Sequence, residues 1–261
     1  MLRTLSLYGA FLGTRFRVLL EYRANFVIGV ASAVVLQVVS ISSVWVVLQR
    51  VQQVKGWSFE ALLLVYGLLI SARSIEHMFA DNLWVISHYL QEGSFDRFLV
   101  RPMNPLFHLL ADRFHHHGIG NLLAGLFAVV HAWRALAIPA TPGNIAFCAV
   151  AIASGGLIFI SLNLATATTA FWLGLSLPVT RAVHELHELA KYPLTLYGRG
   201  LRLVLTWVIP FGFASFFPAS YLLGREGGSL AFVGPPLSLA FAFGAYQFWK
   251  LGLRRYSGAG S

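Results

Sequence analysis

Long runs without a charged side chain constrain this sequence more than any other feature. No Asp, Glu, Lys or Arg occurs between Ala24 and Leu48, and the run is bracketed by Arg23 and Arg50. About 20 apolar residues are enough for a helix to cross a bilayer core. Over the whole chain 57% of the residues are hydrophobic and 11% are charged, against about 25% charged in soluble domains. The sequence therefore predicts an all-α polytopic membrane protein with a single transmembrane domain over residues 1–261.

The hydropathy pattern predicts six membrane-spanning helices. Their predicted ranges are 24–48, 59–81, 118–137, 144–170, 201–221 and 232–251. The uncharged run 141–180 is too long for one span and barely long enough for two. If it holds one span, most Arg and Lys side chains gather on the side that carries both termini, which is the positive-inside pattern. We therefore expect the protein to lie in the cell (inner) membrane with both termini in the cytoplasm. Residues 82–117 are then expected to form a cytoplasmic segment.

Two smaller features refine this topology. Residues 1–23 place apolar side chains on one helical face and polar ones on the other, which predicts an interfacial helix lying on the membrane. Pro210 and Pro218 interrupt the fifth predicted span. We expect Pro218 to end or turn the helix of the fifth span. Backbone groups released by proline need partners inside the protein or in a wet cavity, so we also expect a short re-entrant or surface helix through Tyr221.

Several enzyme classes are disfavoured by missing motifs. No lysine follows a glycine, so the Gly-Lys of a phosphate-binding loop is absent and ATP hydrolysis is not expected on this chain. The run His184 to Glu188 has no histidine four residues after the first, as a zinc protease helix requires. We expect no catalytic residue, metal or cofactor here. The net charge of +9 is explained by topology, so a nucleic acid is not an expected partner, whereas membrane lipid is.

Two groups of side chains within the predicted spans are candidates for function. Arg73 and Glu76 lie three residues apart on the second span, close enough to form an intramembrane pair; the same charges could line a substrate path or brace another helix. The fifth span carries four large rings, which suit a hydrophobic or aromatic cationic substrate or simply pack in the bundle. These rings are Trp207, Phe211, Phe213 and Phe216.

The predicted cytoplasmic segment contains a short amphipathic stretch. Phe95 and Phe98 form an apolar edge at helical spacing, next to charged side chains, and prolines 102 and 105 stop the helix. The charged neighbours are Asp96, Arg97 and Arg101. Such a stretch predicts a rigid knob on the cytoplasmic side, or a helix that lies on the membrane surface.

The run from Gly93 to Leu106, Gly-Ser-Phe-Asp-Arg-Phe-Leu-Val-Arg-Pro-Met-Asn-Pro-Leu, resembles the cytoplasmic motif of a family of ABC-2 type permeases. A second similar stretch begins with Tyr-Pro-Leu-Thr-Leu-Tyr at 192–197 and continues to Gly224. The resemblance implies the fold of a type V exporter-like permease. It also implies that the chain works as a dimer, with a second copy or a related permease.

The same resemblance implies a separate ATP-binding cassette subunit, which would hold ATP and Mg²⁺. Phe95, Asp96, Arg97, Phe98 and Arg101 would then form the coupling helix that docks on that subunit. The function implied is export of a hydrophobic or amphipathic compound. A structural or assembly subunit of a membrane complex is the alternative, and an intramembrane enzyme is disfavoured by the missing motifs.

Overall fold

A computed structural model describes residues 13, 23–50, 53, 55–101, 103–112 and 115–256. Within these ranges the chain is helical and contains no strand. The interfacial helix expected at 1–23 lies outside the described residues except for its positions 13 and 23. The α-helices are α1 (Arg23–Arg50), α2 (Phe59–Phe79), α3 (Ile86–Gln91), α4 (Asp96–Leu99), α5 (Pro105–Ala111), α6 (His117–Ala135), α7 (Pro142–Thr168), α8 (Ala170–Leu173), α9 (Leu177–Glu185), α10 (Arg199–Leu203), α11 (Phe216–Leu222) and α12 (Gly234–Arg255).

Shorter helical turns connect these elements. They are 3₁₀ turns at Asp81–Val85, Leu186–Lys191, Leu194–Leu196, Phe211–Phe213 and Gly228–Val233, and a π-helical turn at Val204–Val208. Two helix starts are capped by hydroxyl side chains. The Ser58 hydroxyl accepts from the Ala61 N–H at 3.3 Å before α2, and the Thr141 hydroxyl accepts from the Asn144 N–H at 3.2 Å before α7. These caps satisfy backbone donors that a helix start leaves without partners.

Four helical stretches in the described part of the chain are long and apolar enough to cross a membrane: Arg23–Ser43, Phe59–Phe79, Pro142–Leu173 and Gly228–Arg255. A fifth results if the bent pair Arg199–Val208 and Phe211–Leu222 is taken as one span. The third predicted span coincides with α6, which has 19 residues but is not among these stretches. Six spans therefore remain a prediction. Most of the uncharged run 141–180 lies in one helical stretch, Pro142–Leu173, and a single crossing requires such a continuous stretch.

The helix α2 lies at the centre of the bundle, where α6 and α7 both pack against it. Its apolar stretch is 78% buried, whereas that of α1 is only 11% buried. The approach of α6 depends on glycine, since a Cβ added at Gly67 would lie 2.9 Å from the carbonyl oxygen of Gly125. Small residues that let two backbones approach are typical of helix contacts in membranes.

The fifth predicted span is broken. After α10 and the π-helical turn, the chain bends by 75° around Ile209 and Pro210 and continues into α11. A short helix through Tyr221 is thus present, and it is largely buried. The expectation that Pro218 ends or turns the helix of the fifth span is corrected, because the bend lies at Ile209 and Pro210. Pro218 instead lies in the first turn of α11, where a helix has no partner for the missing N–H.

Candidate functional site

The segment of residues 80–112 joins α2 to α6 and contains the motif identified in the sequence. Its chain turns between α3 and α4 at Gly93, whose φ of 69° is readily adopted only by glycine. The Phe95 N–H then donates to the Tyr89 carbonyl at 3.0 Å. At the other end, Asn104 accepts from the N–H groups of Leu106 and Phe107 and caps α5. The segment is therefore a folded unit of short helices.

Phe95 and Phe98 are fully buried inside this unit. The Phe95 ring makes edge contacts with Phe171, Trp249 and Tyr256 at centroid distances of 5.5, 6.2 and 5.1 Å. We call these rings, together with Tyr89 and Phe98, the aromatic cluster. The structure corrects the expectation that Phe95 and Phe98 project toward a partner, because both rings fill the space between the segment and the ends of α7 and α12.

The charged residues of the motif also bind within the chain. Asp96 Oδ1 accepts from the Tyr256 hydroxyl at 2.9 Å. Arg97 forms an ion pair of 3.0 Å with Asp112, and its guanidinium lies over the Phe98 ring at 4.7 Å. The Arg101 guanidinium lies 3.2 Å from His108 Nε2. These contacts hold the segment together and connect it to the end of α12.

What the segment presents to its surroundings is the end of α4. Val100 is 83% exposed and Leu99 is 39% exposed, and Arg101 beside them is also exposed. We call these three residues the exposed tip. The exposed tip thus places two aliphatic side chains beside a cation, on the packed support of the aromatic cluster.

A buried group of polar side chains lies next to the segment. Glu76 on α2 is fully buried and accepts a hydrogen bond from the side-chain amide of Asn163 on α7. His77 Nε2 lies 3.6 Å from the same carboxylate. The amide of Asn163 also donates to the Ala80 carbonyl at 3.4 Å. Asn163 therefore connects α7 to α2 and to the first residue of the segment.

Arg73, one turn earlier on α2, contacts His187 Nε2. His187 lies 2.9 Å from Glu188 Oε1, and Glu188 in turn pairs with Lys191. Among the described contacts, Arg73 and Glu76 are not within ion-pair distance of each other. The direct intrahelical pair predicted from their spacing is thus replaced by contacts with two other parts of the chain, because each side chain turns toward a different neighbour.

His184 on α9 lies near Arg73 and His187. It is buried and packs edge-on against Trp84 at 4.5 Å. Burial, reinforced by the positive charge of Arg73, lowers the pKa of His184 from 6.5 to about 3. The imidazole is therefore neutral near pH 7. In the described part of the chain, no three His, Cys, Asp or Glu side chains are arranged to hold a metal ion.

Three of the four rings singled out on the fifth predicted span lie in the protein core. Phe211, Phe213 and Phe216 are buried, and Phe211 stacks on Phe159 of α7 at 4.7 Å. Trp207 is 51% exposed and touches Phe213 edge-on at 5.8 Å. Within one chain, packing in the bundle accounts for the three buried rings, and only Trp207 offers a surface.

Sequence reasoning did not select Trp249 and Tyr256 as parts of this site. A signal for them exists, because Trp249, Gly252, Leu253 and Tyr256 recur at the spacing of one helical face. Gly252 lets the Phe171 ring approach, since an added Cβ would lie 2.6 Å from it. The face is therefore a packing surface for the segment and for α8.

Long apolar helices around a buried α2, with a compact segment folded onto their ends, define a polytopic helical membrane protein. A family model described as ABC-2 family transporter protein matches residues 34–260. The chain belongs to this family, and so is an ABC permease, a membrane transport subunit. Neither the comparison with curated proteins nor that with solved structures gave a match.

Proposed function

We propose that this chain is the permease subunit of an ATP-driven exporter of a hydrophobic or amphipathic compound. A separate ATP-binding cassette subunit would supply the energy, and a second copy or a related permease would complete the transport unit. The protein would lie in the inner membrane, with both of its termini in the cytoplasm. The observation that carries the proposal is the packing of the 80–112 segment, a folded unit joined to the spans, in a chain of the ABC-2 family.

The segment is built to transmit a displacement. The aromatic cluster fills the space between the segment and the ends of α7 and α12. Close-packed interiors have low compressibility and transmit strain. A partner that pushes on Val100 would therefore move the buried rings of Phe95 and Phe98, and with them the ends of two spans.

Polar contacts extend this path to the bundle centre. Asn82 donates to the Leu109 carbonyl at 2.9 Å and ties the two ends of the segment together. Asn163 then joins Ala80 to the buried carboxylate of Glu76. A movement of the segment would thus reach α2, which contacts both α6 and α7.

The docking surface in this proposal is the exposed tip, with Arg101 as its charged member. Arg97 and Asp96 support it from behind through Asp112 and Tyr256. The substrate would pass along a surface that a second permease subunit completes, with Trp207 as the exposed member of the four rings on the fifth predicted span.

The test is copurification of an ATP-binding subunit with the tagged chain, followed by ATP hydrolysis and transport assays in vesicles. Val100→Asp should release the ATPase, because it places a charge in an apolar contact. Glu92→Gln, a change at the exposed residue that follows α3, is the control and should retain the ATPase. If wild-type protein retains no ATPase, or if Val100→Asp retains it fully, the proposed coupling is wrong.

One further outcome would favour the alternative function. A chain that retains the ATPase, but supports no ATP-dependent export of any amphipathic compound tested, would be a structural or assembly subunit.

A further inference from the structure

An open groove separates α6 from α7, although the two helices follow each other in the sequence. Both helices pack on α2 rather than on each other. The groove left between them has a volume of about 410 Å³, which lies in the range of about 300–1,000 Å³ found for small-molecule sites. Its walls are apolar, and they are formed by Leu126, Val129, Val130, Ile145, Cys148 and Ile152.

The mouth of the groove carries one cation. Arg134 lies in the last turn of α6 and lines the groove beside Trp133. Its side chain is exposed, and none of the described acidic side chains lies within ion-pair distance of it. Tryptophan is enriched at the level of the lipid head groups, and an arginine near the end of a membrane helix extends its side chain to the same level. The groove thus has an apolar interior and a cation at its head-group end.

We propose that this groove binds an anionic phospholipid, with an acyl chain between α6 and α7 and the phosphate on Arg134. An acyl chain in a bilayer already has apolar neighbours, so an apolar groove alone cannot select one lipid over another. Selectivity must therefore come from the head group. A guanidinium forms strong contacts with the phosphate of any phospholipid, but the quaternary ammonium of phosphatidylcholine offsets that phosphate's charge, whereas phosphatidylglycerol keeps a net negative charge for Arg134 to attract. The positive charge of Arg134 therefore favours an anionic phospholipid over a lipid with no net charge.

Native mass spectrometry of the purified full-length chain tests the proposal with phosphatidylglycerol and phosphatidylcholine as probes. Wild-type protein should retain phosphatidylglycerol in preference to phosphatidylcholine. Arg134→Gln should lower phosphatidylglycerol retention about tenfold, as expected for a lost charge-assisted hydrogen bond. The matched control is Arg225→Gln, because Arg225 is occupied by the Trp57 ring at 4.1 Å and the Gly56 carbonyl at 2.8 Å. Equal retention of both lipids, or equal effects of the two substitutions, would overturn the proposal.

A second variant fills the groove instead of changing its charge. Ala149 is exposed and lines the groove, so Ala149→Trp should abolish phosphatidylglycerol retention while the number of protein copies in the assembly stays unchanged. If this variant separates two copies of the chain, the groove is a contact between subunits and the lipid site is wrong. If a transported compound displaces the lipid, the groove belongs to the substrate path and the proposal also fails. Neither measurement requires the ATPase, so this test is independent of the proposed coupling.

Discussion

The hydroxyl of Tyr256 donates a hydrogen bond of 2.9 Å to Oδ1 of Asp96. This bond joins the residue that follows α12 to the first residue of α4, 160 positions earlier in the chain. The ring of Tyr256 also packs on Phe95. One side chain therefore fixes the segment to the last long helix through both a polar and an apolar contact.

Tyr256→Phe should weaken this connection without disturbing the ring packing. Loss of one hydrogen bond to a carboxylate costs about 1.5–3 kcal/mol in folding free energy, so ATP-driven transport should fall while some expression persists. Tyr192→Phe is the control, since Tyr192 is exposed and has no described hydrogen bond through its hydroxyl. Transport by the two variants in vesicles, normalised to protein amount, makes the comparison. Equal transport rates would remove any mechanical role from the Tyr256 bond.

Phe98→Ala should destabilise the protein rather than merely release a partner. Truncation of a buried phenylalanine costs about 3–5 kcal/mol, and Phe98 is fully buried between Tyr89 and His108. Val100→Ala, at the exposed tip, should stay within about 0.5 kcal/mol of wild type. Thermal unfolding in detergent measures both. A wild-type unfolding temperature for Phe98→Ala would contradict the burial of this ring.

Asn163→Leu should be more damaging than Glu76→Gln. The first change leaves the buried Glu76 carboxylate without its amide donor, and an orphaned buried group costs about 1–3 kcal/mol or more when charged. The second change removes the charge but keeps an oxygen that accepts from Asn163. Unfolding of the two single variants and the double variant gives the coupling energy. Additive effects would show that the two side chains do not depend on each other.

Gly67→Ala should separate α2 from α6. The new methyl group would lie 2.9 Å from the Gly125 carbonyl and from the Val129 backbone nitrogen, and overpacking of this kind costs about 1–3 kcal/mol. Gly244→Ala provides the control, because an added Cβ there meets nothing within 4 Å. Yield and thermal stability in detergent report the difference. The close approach would be refuted by matched behaviour of the two variants.

Stability should fall as the pH drops below about 6.5, in part because of His184. Its folded-state pKa of about 3 lies below its ordinary value of 6.5, so the unfolded chain binds the proton first and protonation favours unfolding. The stability that the neutral His184 contributes is therefore fully present above pH 6.5, the pKa in the unfolded chain, and is lost as the pH falls toward about 3, the pKa in the folded protein. His184→Gln should flatten the pH profile of thermal stability relative to that of the wild-type chain. An unchanged profile for His184→Gln would contradict a neutral buried imidazole.

The sequence predicts the class of protein and the long helices well, because runs such as Ala24–Leu48 satisfy a bilayer's length and polarity requirements by themselves. It also identifies the bend near Pro210, where the backbone chemistry is local. These features need no knowledge of distant contacts.

The candidate site was harder to predict because its partners are remote in the chain. An apolar edge made by Phe95 and Phe98 looks the same in sequence whether it meets a membrane, a partner or the protein's own core. Trp249 and Tyr256 decide the matter, and both lie more than 150 positions away. The same holds for Arg73, which would pair with Glu76 by spacing but instead contacts His187.

The π-helical turn at Val204–Val208 has a consequence for insertions and deletions. A π-turn holds one residue more than an α-turn, so the chain before the bend contains a residue that a regular helix would not need. Removing one residue there would convert the turn to α geometry, and the chain would still run from α10 into the bend. Removing one residue from α2 would instead rotate everything after it by about 100° and shift it by about 1.5 Å, which the buried surroundings of α2 do not accommodate. Length variation among related chains should therefore concentrate just before Pro210.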